Sequence, residues 1–235
     1  MQLERILQKH GFGTRKGCRG LIYNERVAVN GQLCDDPFAD IPTDNLVFTV
    51  DGVDWPYREF ATVILNKPAG YECSRKPQHH PSVLELLPVQ LRERDVQPIG
   101  RLDEDTTGLL LITDDGQLNH QLSSAKRKVP KVYLATTKHP LDQGQIDQLL
   151  AGVLLNDEPE PIAAASAEIV GDNLLRLTVT EGKYHQVKRM VAAAGNRVEA
   201  LHRAAVGDLY LPTDLQPGEW CWLMPADLEK LVKAK

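Results

Sequence analysis

At 235 residues the chain has room for one or two domains and a sizeable core, and 42% apolar against 25% charged residues describes an ordinary globular protein. No apolar run approaches the roughly 20 residues that cross a bilayer, and Glu4 and Arg5 come too early for a secretory signal, so a cytoplasmic location is expected. The net charge of −5 gives no general pull toward nucleic acid, and the scattered Cys18, Cys34, Cys73 and Cys221 have no spacing for a disulfide framework or a zinc site.

Leu3, Ile6 and Leu7 recur at helical spacing, with Gly11 as a natural stop. Thr14 is placed to cap a second helix whose apolar side is Cys18, Leu21 and Ile22 and whose other side shows Arg15, Lys16 and Arg19. Gly17 and Gly20 inside it each cost roughly 1 kcal/mol relative to alanine. The run Arg26-Val27-Ala28-Val29-Asn30-Gly31-Gln32-Leu33 reads as a hairpin, because Asn-Gly supplies the positive φ angles of a tight turn. Residues 51–60, polar and broken by Gly52 and Pro56, read as a linker between a small unit over residues 1–58 and a larger one over 59–235.

The larger unit opens with a strand over residues 60–65 that runs into the turn Asn66-Lys67-Pro68-Ala69-Gly70. His79 and His80 follow on a loop, with no third metal ligand near them in sequence. Residues 109–113 form a short apolar strand closed by Asp114-Asp115-Gly116, and residues 131–137 alternate with Lys131, Tyr133 and Ala135 on one face. A helix is predicted over 142–151 with Gly152 ending it, then a hairpin around Gly171-Asp172-Asn173. Residues 181–190 open a last helix closed by Gly195, with Val187, Met190, Val191 and Ala194 inward, and 197–206 return as a strand. Hairpin-linked strands interrupted by a few helices predict an α+β fold with a mainly antiparallel sheet.

The charge is sorted along this order. Residues 1–30 carry a net +4, 116–141 a net +5 and 182–203 a net +4, whereas 142–172 hold seven acids and no lysine or arginine. Such sorting suits one basic face and an acidic back, and equally suits unrelated solvated faces.

Arg101, Asp103, Glu104 and Asp105 stand directly before the strand at 109–113, with Gly108 letting the chain turn into it. Charged groups on a loop pinned to a core strand can build a rigid site, although a solvated acidic turn has the same local pattern. Asp103 with Asp105 could form a metal pair, but further carboxylates for magnesium are not singled out. The absence of Gly-Lys-Ser/Thr after Gly100 excludes a phosphate loop.

The run Gly-Arg-Leu-Asp-Glu-Asp-Thr-Thr-Gly-Leu-Leu from Gly100 resembles the signature of the RsuA family of pseudouridine synthases, which isomerise uridine in ribosomal RNA. Lys67-Pro68-Ala69-Gly70, Lys131-Val132-Tyr133 and the Glu181-Gly182…His185-Gln186-Val187-Lys188-Arg189-Met190 run are similar to its other motifs, in order, across most of residues 60–206. The resemblance implies Asp103 as the catalytic aspartate, Tyr133 as the tyrosine that stacks on uracil and can take its C5 proton, and Lys188 as the cation paired with the aspartate. Arg101 and Leu201 are then substrate-binding, Leu201 as the apolar residue against the base. No cofactor and no metal are implied. Two short helices and a hairpin in residues 1–50 resemble the S4 RNA-binding module, with Arg15, Lys16 and Arg19 on its RNA-facing helix. The substrate implied is ribosomal RNA or a small-subunit assembly intermediate, met by a monomer. Asp-Thr-Thr-Gly-Leu and Thr-Asp-Asp-Gly-Gln most resemble the branch acting on 16S rRNA, though sister enzymes modify 23S rRNA with similar motifs. A catalytically silent S4-type binding or assembly factor is the rival, and it has no need of Asp103, Tyr133 and Lys188 together.

Overall fold

The structure, a computed structural model, describes residues 1–232 and divides into two compact units. The first is Met1–Ala61 together with Leu87–Val96; the second is Thr62–Leu86 with the chain from Gln97 onward.

In the first unit, α1 (Leu3–Lys9) buries Leu3, Ile6 and Leu7, and α2 (Arg15–Tyr23) buries Cys18 and Ile22. Thr14 caps α2 by accepting a hydrogen bond from the Gly17 amide at 3.2 Å, so the helix forms despite its two glycines. A four-stranded sheet follows: β1 (Val27–Val29), β2 (Gln32–Leu33), β3 (Val47–Val50) and β4 (Val53–Pro56), in the order β2-β1-β3-β4. Asn30 and Gly31 have φ of 48° and 81°, the positive pair of the tight turn between β1 and β2. The linker reading of residues 51–60 is corrected here. Asp51 and Gly52 make a second such turn, and β4 pairs with β3 and buries Trp55 at 9% exposure. Its polar composition belongs to an edge strand with one face in solvent. The short α3 (Val89–Glu93) joins this unit from a distant part of the sequence. Gly11, at φ 80°, lies so close to it that a β-carbon would come within 2.0 Å of the Gln90 carbonyl oxygen.

The second unit is built on a nine-stranded sheet. Its strands and helices in chain order are β5 (Thr62–Lys67), β6 (Gln97–Pro98), β7 (Thr107–Thr113), α4 (Gly116–Ser123), β8 (Lys131–Thr137), α5 (Gln143–Ala151), β9 (Ser166–Gly171), β10 (Leu174–Val179), α6 (Gln186–Ala193), β11 (Val198–Val206), β12 (Leu209–Tyr210), β13 (Trp220–Trp222) and α7 (Pro225–Val232). The order is β13-β5-β7-β11-β8-β10-β9, with β12 on β11 and β6 on β7. Every pair is antiparallel except β7 with β11, which run parallel. The α+β expectation with a mainly antiparallel sheet therefore holds for this unit. At the parallel contact Gly108, φ 102°, lies against β11, where a β-carbon would meet the Arg203 carbonyl oxygen at 2.3 Å. Two cores flank the sheet. One gathers Ile146, Leu149, Leu175, Leu177, Met190 and Val191 beneath α5 and α6; the other gathers Ile64, Leu109, Leu111, Leu118, Leu122 and Leu231.

Several boundaries differ from the sequence reading, and β7, expected over 109–113, begins at Thr107. The strand expected over 60–65 begins at Thr62 and continues through Asn66 and Lys67, since both polar side chains find partners within the unit. The helix expected from 181 begins at Gln186, because His185 turns into the left-handed region at φ 47° and the Gln186 side chain accepts from the Lys183 amide at 3.0 Å.

Candidate active site

Asp103 sits on the loop that enters β7, and that loop is held from beneath by a lysine. Lys67, with 0% of its surface exposed, donates from Nζ to the carbonyl oxygens of Pro68 at 3.0 Å, Glu104 at 3.0 Å and Thr106 at 2.8 Å. The three donors of one ammonium thus satisfy three backbone acceptors and fix the chain on either side of Asp105. Burial depresses the Lys67 ammonium below the ordinary lysine value, and the nearby Cys73 and acidic residues oppose that effect. The Glu104 carbonyl also accepts from the Gly70 amide at 2.9 Å, which ties the Lys-Pro-x-Gly turn to the same loop.

Lys188, one turn into α6, reaches the loop from the other side. Its Nζ lies 3.3 Å from Asp103 Oδ2 and donates to both Asp105 oxygens, at 2.7 and 2.8 Å. Burial works against the charge on Lys188, but the bond to Asp105 and the charge of Asp103 outweigh it and raise its value. Burial likewise pushes the Asp105 carboxyl up, and Lys188 more than compensates, holding it below the usual carboxylate range. His185 Nε2 is 3.3 Å from the other Asp103 oxygen, and its ring stacks on Tyr184 with centroids 3.8 Å apart.

Asp103 and His185 open onto a cavity of about 420 Å³, of the size that takes a small ligand. Tyr133 and Leu201, on the paired strands β8 and β11, line it, and Arg101 lies exposed at its edge. The five residues that the sequence singled out for chemistry and substrate, Asp103, Tyr133, Lys188, Arg101 and Leu201, thus fall around one place. Lys67, Lys131, Asp105, His185 and Arg203 were not singled out for this chemistry. Asp105 drew attention only as a metal partner, although its spacing from Asp103 puts two carboxylates within reach of one lysine. Nothing in the sequence marks the left-handed turn that swings His185 toward Asp103.

The sorted charges turn out to be partly matched. Lys183 pairs with Glu158 at 2.6 Å and Arg189 pairs with Asp157, so the acidic segment folds back onto the basic one near the cavity. In the first unit Arg15 and Lys16 are exposed, but Arg19 donates to the buried Glu4 carboxylate and stands over the Phe38 ring.

A family model described as RNA pseudouridylate synthase matches residues 61–193. Among curated proteins, the chain is 42% identical to the ribosomal small subunit pseudouridine synthase A of Escherichia coli, over 99% of this chain and 100% of that protein. It is 36% identical to the protein of the same name from Haemophilus influenzae, again over 99% and 100%. Among solved structures, a pseudouridylate synthase at 35% identity superposes with a TM-score of 0.70 and covers 99% of this chain and 100% of that one.

Proposed function

The chain belongs to the RNA pseudouridylate synthase family, and from that premise we propose that it isomerises a uridine of small-subunit ribosomal RNA to pseudouridine, with Asp103 as the reacting carboxylate. The observation that carries this reading is Asp103 between Lys188 and His185 at the mouth of a cavity walled by Tyr133 and Leu201. The end-to-end similarity to small-subunit enzymes supports the choice of RNA.

The reaction breaks the bond from C1′ to N1, turns the uracil and forms a bond from C1′ to C5, while the proton on C5 leaves and N1 gains one. A uridine drawn out of its stack can lie between Tyr133 and Leu201. The Asp103 carboxylate then attacks the uracil ring or C1′, or assists departure of the base, with the Lys188 ammonium 3.3 Å away as its counter-charge. Tyr133, which lines the cavity, then removes the C5 proton once the new bond exists. Lys67 contributes by holding the loop still, because a misplaced nucleophile loses much of the advantage of proximity. The S4-like reading of residues 1–58 is supported by the capped helix and the Asn-Gly hairpin, and makes the first unit the part that docks RNA.

Release of tritium from C5-labelled uracil tests the function directly, with small-subunit and large-subunit rRNA as alternative substrates. Wild-type protein should release it from the small-subunit RNA, and Asp103→Asn should bind that RNA yet release none. An Asp103→Asn protein working within about tenfold of wild type, a difference of roughly 1.4 kcal/mol in barrier, would remove Asp103 from the chemistry. If Tyr133 takes the proton, Tyr133→Phe should stall after binding; if it only stacks, Tyr133→Phe should be near wild type and Tyr133→Leu should weaken the base contact by about 1–3 kcal/mol.

A further inference from the structure

Two cations in the cavity have no role in the chemistry above. Lys131 and Arg203 both line it, on β8 and β11, where the register sets Arg203 opposite Tyr133 and Lys131 opposite Val206. Arg203 is 3% exposed, and its Nε donates to the Leu109 carbonyl at 2.8 Å. Its two terminal nitrogens have no hydrogen-bond or ion-pair partner among the described residues, yet they are not among the sealed polar atoms of the interior, so they remain reachable from the cavity. Lys131 donates to the Val129 carbonyl at 3.1 Å and has donors to spare. Of the carboxylates that line the same cavity, Asp103 faces Lys188 and His185, and Glu181 stands 3.7 Å from Lys183 with its Oε2 buried and without a hydrogen bond, and no carboxylate among the described residues acts on Lys131.

Buried like charges without a counterion are unfavourable, and here the cost is visible. Burial and then the charge of Arg203 push the Lys131 ammonium down to about 8. A neutral carbonyl would do little for two such cations, whereas a singly charged anion with several acceptor oxygens would engage both. An arginine fork meets two oxygens of a phosphate at once, and a lysine adds a point charge beside it. RNA carries one such group per nucleotide, and a nucleotide placed against Tyr133 brings its flanking phosphates to this cavity.

We propose that Lys131 and Arg203 form an anion subsite that receives one backbone phosphate of the substrate RNA next to the uridine held against Tyr133. The subsite rests on the functional reading above and adds to it the group that anchors the nucleotide while its base detaches and turns.

The test uses an rRNA fragment on which wild-type protein forms pseudouridine, with a neutral methylphosphonate placed singly at each phosphate around the modified uridine. One position should weaken wild-type binding about tenfold, and the other positions should weaken it less. Lys131→Met should bind the unmodified RNA about tenfold more weakly and lose clearly less than wild type at that position, where only Arg203 remains to meet the phosphate, whereas Lys131→Arg should recover most of the affinity. The substituted-RNA arm needs only wild-type protein, so it stands even if a variant folds poorly. Equal effects at all phosphates, or the same positional profile in wild type and Lys131→Met, would overturn the subsite. So would a Lys131→Met protein that binds normally but reacts slowly, which would put the pair at the detached uracil. Failure of wild type to form pseudouridine in any rRNA is a different result, and it would overturn the functional reading itself.

Discussion

Lys188 shares its ammonium between two carboxylates, and its shorter contacts go to Asp105 rather than Asp103. Lys188→Met should therefore lower the single-turnover rate at saturating RNA by about 100-fold, roughly 2.7 kcal/mol, because the Asp103 anion loses its counterion. Lys188→Arg should keep part of the rate, since charge and donors survive in another geometry. Asp105→Asn should give a smaller change, as it frees the ammonium for Asp103 while removing only the competitor. Rates measured side by side for the three variants check this order, and a Lys188→Met enzyme as fast as wild type would contradict it. Most of this site is written in the sequence as motif, down to the numbers of Asp103, Tyr133 and Lys188. Which carboxylate lies nearer the lysine is not, because residues 83 positions apart meet only after β7 and α6 are both in place.

At the scale of elements, the end of β5 acts as a latch on the loop that carries Asp103. Lys67→Met would keep the apolar stem but take one donor from three backbone carbonyls, of which that of Glu104 keeps the Gly70 amide, so a stability loss of about 3 kcal/mol is expected, together with a slower reaction. Urea unfolding of the variant measures the first and pseudouridine formation the second. The sequence reading places Lys67 in a turn and gives no sign of its burial, because a lysine is almost never fully buried unless its charge is met by partners. Those partners are backbone carbonyls, which composition cannot reveal. In the first unit His10 shows the same dependence on context. Its Nδ1 lies 2.7 Å from the Ile6 carbonyl and its Nε2 accepts from the Arg58 amide at 2.9 Å, so the neutral ring fills both places and a second proton would break the latter bond. Burial, the largest cause, takes its value down from 6.5 to about 4. The unfolded chain therefore binds more protons between these two values, and stability must fall as pH drops from about 6.5 to about 4, then level off below. The expected loss is about 3 kcal/mol, and His10→Gln should flatten that part of a pH–stability curve. A curve unchanged by the substitution would show that other groups set the acid limb.

The whole molecule carries a negative net charge and still has exposed basic residues on α2. Arg19 is not a free member of that set: removing it strands the buried Glu4 carboxylate and should destabilise the unit. The cleaner test of RNA docking is Arg15→Gln with Lys16→Gln, which should weaken rRNA binding and lower its dependence on salt by about one to two counterions. The rate at saturation should persist, because the proposed chemistry uses only residues of the second unit. Titrations across salt concentration check this, and an unchanged slope would return the face to ordinary solvated surface.

Periodicity and turn chemistry in the sequence determined the elements that depend on near neighbours: α1 and α2, the Asn30-Gly31 hairpin, α5 up to Gly152, and the strands β7 to β11. These follow from side-chain spacing and from backbone angles that only a few residues adopt easily. The motifs also named the residues that would meet. Tertiary structure alone decided the rest. It put Val53–Pro56 into the first sheet, brought Leu87–Val96 back to the first unit, buried Lys67 under the loop, turned His185 toward Asp103 and left the Arg203 guanidinium facing a cavity. Each of these depends on a partner far away in the chain, and a polar residue reads as exposed until the group that satisfies it has been brought alongside.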